Sequence, residues 1–494
     1  MIILKRYVNY IIKRSRCYSS NTIFALSSGQ GKCGVAVIRV SGRSAGEALK
    51  ALTGLCQLPE PRKVNLRSIK DPTSKETLDK GLILWFPGPK SFTGEDSCEL
   101  HVHGGLAVVN SVLTALGTLK DLRLAEPGEF TRRAFHNGKL DLTEVEGLAD
   151  LLQAETEAQR KQAFLQTQGS LSKLYNKWKN ILVRCVAHIE AHIDFEETET
   201  LDEGLINSVM TDVGTLKNEI QQHLCDGRKG ETLRNGVKTV ILGEPNAGKS
   251  SLLNILCQRP AAIVTPIEGT TRDILEVTLN IGGYPLVLAD TAGLRSTTTD
   301  VVEKEGITRA LQSFEVCDLV ILVVAADKYE LWKRHNNASF TDYLFEYVSS
   351  LKLDNLLDHK TKQFKKNCIV VMNKTDLVKN VELNNSFVNV SCQTEDGVVD
   401  LVEKITLELK NLCGEPSREH PSMNQMRHRQ QLNEYLANLE MFFKYTGDLK
   451  EYNGDLVLMA ESLRKALRSL GKLVGTVTTE QLLDVIFRDF CIGK

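Results

Sequence analysis

The chain has 494 residues, of which 42% are hydrophobic and 25% charged, with a formal net charge of −1 and twelve cysteines. That length suits about three soluble globular domains, and the near-neutral charge excludes a generally basic nucleic-acid binder, so any RNA contact needs a local patch or a partner. No apolar run approaches the ~18–20 residues of a membrane span, and cysteines without paired CxxC spacing fit reduced intracellular thiols better than a disulfide framework or a zinc site.

In chain order, residues 1–20 read as a mitochondrial transit peptide. Lys5, Arg6, Lys13, Arg14 and Arg16 alternate with Ile2, Ile3, Leu4, Tyr7, Val8, Tyr10, Ile11 and Ile12; Ser15, Ser19 and Ser20 follow, and no acidic residue precedes Glu47. Basic, amphipathic and acid-free is the import pattern, implying a matrix address and removal of this segment. A basic cytosolic tail is the alternative. Residues 21–137 mix short apolar strands (34–40, 81–86, 98–102) with helices (44–52, 107–119), as in an α+β domain. From Leu140 the spacing turns helical, through Leu142, Val145, Leu148, Leu151 and Leu152, and a helical region covers 138–233. Residues 234–415 carry a third pattern, described next. Over 416–494 helical spacing returns at Leu432, Tyr435, Leu436, Leu439 and Phe442. The expected fold class is multidomain, α/β plus all-α: an N-terminal α+β domain, a discontinuous helical domain and a Ras-like P-loop GTPase domain inserted within it.

The third pattern is an ordered set of nucleotide motifs. Gly243-Glu-Pro-Asn246-Ala247-Gly248-Lys249-Ser250-Ser251 follows the apolar run 237–242 and opens a helix, the context a phosphate loop requires. Its backbone N–H groups wrap phosphates, Lys249 reaches the β/γ oxygens and Ser250 ligates Mg²⁺. Gly269-Thr270-Thr271 stands in the place of switch I. Asp290-Thr291-Ala292-Gly293 would hold Mg²⁺ through Asp290 and sense the γ-phosphate through the Gly293 N–H. In Asn373-Lys374-Thr375-Asp376 the Asp376 carboxylate pairs with guanine N1–H and N2–H₂, a pair that adenine lacks. Ser391, in Val390-Ser391-Cys392, brings a backbone N–H toward guanine O6. A Ras-type switch places a water-orienting glutamine after Asp-x-x-Gly; Leu294 and Arg295 stand here, so the acidic run Asp300, Glu303, Glu305 supplies candidates. The Asn246 side-chain oxygen is a candidate ligand for a monovalent cation against the phosphates.

These motifs, with Gly34-Val-Ala-Val-Ile-Arg39-Val-Ser-Gly42, Ser91-Phe-Thr-Gly-Glu-Asp96, His103-Gly-Gly105, Pro127-Gly-Glu-Phe130, Lys139-Leu-Asp-Leu142 and the terminus Phe490-Cys491-Ile492-Gly493-Lys494, resemble the MnmE (TrmE) family of tRNA-modification GTPases from Thr22 to Lys494. The resemblance implies that GTP, Mg²⁺ and K⁺ are bound. Ser250 and Thr271 would bind Mg²⁺. Asn246 and Thr270, with the backbone of Thr265 and Ile267, would bind K⁺ in a loop that also holds Pro266, Glu268 and Gly269. Glu303 would position the attacking water, Glu305 being the alternative. Arg39, Glu99, Lys139 and Lys494 would contact a 5-formyl- or 5,10-methylene-tetrahydrofolate, which makes 21–137 a folate-binding and dimerising domain. Cys491 matches a cysteine linked to the modification chemistry. The implied partners are an MnmG/GidA-family FAD protein, mitochondrial tRNA and a second copy of the chain, paired through the N-terminal domains and, with GTP, through the G domains. The implied product is a carboxymethylaminomethyl or taurinomethyl group at C5 of wobble uridine 34.

Alternatives of other classes are a non-catalytic GTP switch for ribosome or cofactor assembly and a folate-dependent one-carbon transferase acting on small molecules. Three departures stand out: Pro266 lies inside the K⁺-loop; the segment from Gly293 to Glu303 is about one residue longer than in bacterial relatives, which makes Glu305 the alternative to Glu303; and the segment 327–366, with Lys333-Arg334-His335 and Lys360 to Lys366, is longer and more polar than the pattern requires and reads as a surface insertion. Arg427-His428-Arg429 reads as a solvated helix face with a possible RNA role.

Overall fold

The structure, a computed structural model, describes residues 21–29, 31–195, 203–225, 228–258, 277–288, 314–336, 338–351, 353–358, 363–378, 386–419, 421–446, 455–477, 480–488 and 490–494. It resolves into two compact units. One takes the chain up to Ala149 together with Gln166–Arg184 and Leu463–Lys494; the other takes Asp150–Leu165 and Cys185–Ser462. Among the described residues, no helix is long and apolar enough to cross a membrane.

The first unit is built on six strands: β1 (Thr22–Leu26), β2 (Cys33–Ser41), β3 (Asn65–Lys70), β4 (Thr77–Phe86), β5 (Ser97–Gly104) and β6 (Leu122–Leu124). Their order is β3-β4-β5-β2-β1-β6, antiparallel except for the β1–β6 edge. Period-two alternation decides the faces. Ile38, Val40, Ile83, Leu100 and Val102 point to one side and are fully buried under the helices Ala45–Thr53 and Leu106–Gly117, whose Leu49, Leu52, Val112 and Leu116 complete the core. The opposite parity puts Arg39 on β2 directly across from Glu99 on β5. Val35, Leu66 and Leu82, also on β2, β3 and β4, are exposed. A smaller core of Leu142, Val145, Leu483, Phe487 and Phe490 joins helix Leu142–Gln153 to helix Glu480–Arg488 and the C-terminal tail.

The second unit carries the strands β7 (Val237–Leu242), β8 (Val277–Ile281), β9 (Tyr284–Leu288), β10 (Leu319–Ala325), β11 (Asn367–Asn373) and β12 (Val388–Asn389), in the order β12-β11-β10-β7-β9-β8. All pairs are parallel except the β8–β9 hairpin. The central strand β10, Leu-Val-Ile-Leu-Val-Val-Ala, is buried along its whole length, the pattern of a parallel strand covered on both faces. In such a sheet ligands bind beyond the carboxyl ends of the strands, and the phosphate-loop and guanine motifs follow β7, β11 and β12 at those ends.

Two expectations are corrected. Segment 327–366 is not a surface insertion. It forms the helices Ala326–His335 and Phe340–Ser350, and Tyr329, Phe340, Tyr343, Leu344, Tyr347 and Val348 are buried against β10 and β11. Arg427-His428-Arg429 is not a solvated face either. His428 is fully buried, and Arg429 donates to Glu231 at 2.9 Å and to the Leu224 carbonyl at 3.0 Å.

Candidate nucleotide site and tail site

The phosphate loop turns on backbone shapes its residues permit. Gly248 has φ +98°, and a Cβ there would fall on the Asn373 side-chain amide, so glycine is required both sterically and conformationally. Asn246 is exposed, with φ +64°, a left-handed position that asparagine tolerates. Ala247 is buried, and Ser250 and Ser251 begin helix Lys249–Gln258. Lys249 Nζ donates to the Gly243 and Glu244 carbonyls at 2.8 and 2.7 Å, closing over the mouth of the loop.

The guanine motif is tied to this loop. Asn373, 2% exposed at the end of β11, donates from Nδ2 to the Ala247 carbonyl (2.9 Å) and accepts at Oδ1 from the Cys392 N–H (3.2 Å). It links three motifs. Lys374 at φ +64° turns the chain into Thr375–Leu377. Asp376 is exposed there, and its Oδ1 accepts from the buried Ser391 hydroxyl at 2.6 Å. Ser391 therefore holds the carboxylate through its hydroxyl, and its backbone N–H donates to the Asp396 carbonyl at 3.0 Å. Thr265, Pro266, Ile267, Glu268, Gly269, Thr270, Thr271, Asp290, Thr291, Ala292, Gly293, Glu303 and Glu305 lie outside the described residues.

The sequence reading missed Tyr347. Its hydroxyl, on a 4% exposed residue, accepts from the Glu244 N–H at 2.8 Å and donates to the Val323 carbonyl on β10 at 2.7 Å.

In the first unit, the C-terminal residues lie along the start of helix Glu129–His136. Pro127 and Ile492 form a β-bridge, the Phe130 N–H donates to the Lys494 carbonyl (3.1 Å), and the Ser27 hydroxyl donates to the Gly493 carbonyl (2.9 Å). Gly493 has φ +100° and packs on the Leu26 carbonyl. This seating brings Lys494 within electrostatic reach of Arg39, Glu99 and Cys491. Burial lowers the Lys494 ammonium and nearby Arg39 lowers it further, against the pull of Glu99 and Cys491. Arg39 and Glu99 pair at 3.0 Å and are 17% and 19% exposed. The guanidinium lies 5.1 and 5.8 Å from the Phe92 and Phe130 ring centres, and Glu99 Oε2 lies 3.3 Å from His101 Nε2. Cys491 is exposed. Lys139 donates instead to the Pro89 carbonyl at 2.9 Å, on the loop that carries Phe92.

That loop is framed by charges the motifs hint at only through Ser91–Asp96 and Pro127–Phe130. Glu95 accepts from Ser41 (2.9 Å) and Arg133 (3.0 Å), and Asn137 Nδ2 donates to the Thr93 carbonyl (2.7 Å). Burial alone would raise the Glu129 carboxyl; hydrogen bonds from Arg123, the Glu126 N–H and Arg133 outweigh it and hold it below the ordinary value. Among the described residues, no three His, Cys, Asp or Glu side chains gather as a metal centre.

Comparison with known proteins decides the family. The profile of the MnmE helical domain matches residues 142–491, and that of the GTP-binding protein TrmE N-terminus matches 22–139. The chain belongs to the MnmE/TrmE family of tRNA-modification GTPases. As a member it is a GTP hydrolase acting in tRNA modification. It is 49% identical to the mitochondrial 5-taurinomethyluridine-[tRNA] synthase subunit GTPB3 of Danio rerio, over 98% of this chain and 96% of that one. The Homo sapiens protein of the same name is 46% identical, over 96% and 94%. The tRNA modification GTPase MnmE of Parvibaculum lavamentivorans is 46% identical, over 96% of this chain and all of its own length (100%).

Proposed function

We propose that this protein is a mitochondrial, K⁺-activated member of the family that, with an MnmG/GidA-type FAD protein, forms a C5-aminomethyl-type group on wobble uridine 34 of mitochondrial tRNA. The observation that carries the reading is the seating of the C-terminal tail on Ser27 and Phe130 with Lys494 beside the Arg39–Glu99 pair, in a chain that also holds a guanine-reading loop tied to a phosphate loop. An assembly switch needs no such tail site. The mitochondrial naming of full-length relatives and the basic N-terminus support the address.

The donor sets fit the implied groups. Asp376, braced by Ser391, offers the carboxylate that a guanine edge needs, and the close Gly248–Asn373 approach leaves backbone N–H groups to face phosphates. Glu99 suits the amidine-like edge of a pterin, the exposed Phe92 supplies an apolar face, and the cations Arg39 and Lys494 suit folate carboxylates. When bound, a tetrahydrofolate would supply a one-carbon unit; Lys139 would act at the rim through the Pro89 loop. Mg²⁺ at Ser250 and K⁺ at Asn246 would neutralise phosphate charge, and Glu303 would orient water. The exposed Val35, Leu66 and Leu82 on one sheet face support pairing of two N-terminal domains.

The test is twofold. Mitochondrial tRNA from cells lacking the protein should lose the wobble-uridine substituent by nucleoside mass spectrometry and regain it on complementation; unaltered tRNA refutes the reading. GTP turnover of the chain without residues 1–20 should be faster in KCl than in NaCl at equal ionic strength; equal rates would remove the K⁺ site.

A further inference from the structure

We infer that Tyr347 is a positioning residue of the nucleotide site: its buried hydroxyl fixes the first turn of the phosphate loop and thereby sets GTP and GDP affinity. The inference rests on residues 243–251 being the phosphate loop. The Tyr347 oxygen stands between two main-chain groups, accepting from the Glu244 N–H (2.8 Å) and donating to the Val323 carbonyl (2.7 Å). Val323 lies on the central strand β10 and Glu244 is the second residue of the loop, so one phenol ties the loop to the strand beside it. Crowding is tight: at Gly243, whose φ is +153°, an added Cβ would fall on the Val323 carbonyl and lie 3.2 Å from the phenol oxygen. Lys249 donates to the carbonyls of the same two residues, Gly243 and Glu244. A shift of that turn therefore displaces the lysine that the phosphates require.

The phenol is itself held rigidly. Its helix, Phe340–Ser350, starts with a reciprocal Ser339–Asp342 capping box. Tyr343 stacks on Tyr347 at 5.8 Å, and Tyr329 packs on Tyr343 at 5.0 Å and on Phe340 at 5.2 Å. Burial raises the Tyr347 hydroxyl well above its ordinary value, so it stays protonated and keeps both bonds. The helix pair 326–350 is thus a brace behind the loop, touching it through Tyr347 and through Lys328, whose ammonium pairs with the Glu244 carboxylate at 2.6 Å.

The experiment compares Tyr347→Phe, which removes only the oxygen, with Tyr343→Phe, which removes a hydroxyl from the same aromatic cluster. Fluorescent GTP and GDP titrations, steady-state turnover and thermal melting are run on the full chain. Losing a buried two-way hydrogen bond should weaken both nucleotides by about tenfold in Tyr347→Phe and raise KM in step. The kcat at saturating GTP should fall by less than the affinity does, since the oxygen acts on Lys249 through the loop and not on the reacting atoms. Tyr343→Phe should bind as the parent does. Parent-like affinity in Tyr347→Phe overturns the inference, as does an equal loss in Tyr343→Phe, which would mean general loosening. A parent that binds neither nucleotide overturns the phosphate-loop reading and the inference with it.

Discussion

Gly493→Ala should release the C-terminal tail from its seat. At φ +100° an L-side chain costs about 1–3 kcal/mol. The new Cβ would also overlap the Leu26 carbonyl, which is main chain and has little room to yield. Lifting the tail to clear it forfeits the bond from Ser27 to the Gly493 carbonyl (2.9 Å) and that from Phe130 to the Lys494 carbonyl (3.1 Å), each worth about 1 kcal/mol. Strain in the seated tail, about 1–3 kcal/mol before the overlap is counted, lowers the seated-to-released equilibrium constant by about five- to 150-fold. The effect is local, because Phe487 and Phe490 remain packed with Leu142 and Val145. Carboxypeptidase trimming of Lys494, followed by intact mass, should therefore be fast in Gly493→Ala and slow in the parent, with melting temperature almost unchanged. Ile492→Ala, at a 52% exposed position, is the control that should trim as the parent does. Equal trimming of Gly493→Ala and parent would refute the seating.

Three further outcomes are expected. Glu129→Gln tests acid stability: Arg123 and Arg133 hold the folded carboxyl below its ordinary ~4.3, so the stabilisation is present above that value and lost as pH falls through the folded one. The melting difference between parent and variant should be largest near neutral pH and shrink as pH falls below the ordinary carboxylate range; a difference independent of pH refutes the assignment. Asp376→Asn should move preference from GTP toward xanthosine triphosphate by more than about tenfold, while the amide oxygen keeps the Ser391 bond and the melting point; competition binding checks this, and unchanged preference sinks the guanine contact. Glu303→Ala should bind GTP normally but hydrolyse it at least about a hundredfold more slowly; normal single-turnover rates would transfer the role to Glu305.

How far the site was legible follows the range of each interaction. The phosphate and guanine motifs are legible because one short segment supplies each group, and the chemistry dictates residue types at fixed spacing. Asn373 shows the limit: its place in Asn-Lys-x-Asp is visible, but its bond to Ala247, 126 residues away, is a property of parallel β7 and β11 flanking β10 and ending at the same edge of the sheet. Arg39 and Glu99 became a pair only through the β2–β5 register. Without the family resemblance, nothing local would have sent Lys494 to them. The two corrected segments failed for a different reason, since their signals were present. Phe340, Tyr343, Leu344, Tyr347 and Val348 sit at i, i+3, i+4, i+7 and i+8, a complete helical stripe that vanishes when polarity is averaged over 327–366. His428 likewise falls in line with Leu432, Tyr435, Leu439 and Phe442, all fully buried, although arginines flank it in sequence. In both, periodicity outweighs composition, because burial is decided by which face a side chain occupies and not by its neighbours along the chain. For Tyr347 the stripe explains more than packing: a phenol on a buried face must satisfy its hydroxyl, and here its partners are the Val323 carbonyl of a central strand and the Glu244 N–H of the phosphate loop.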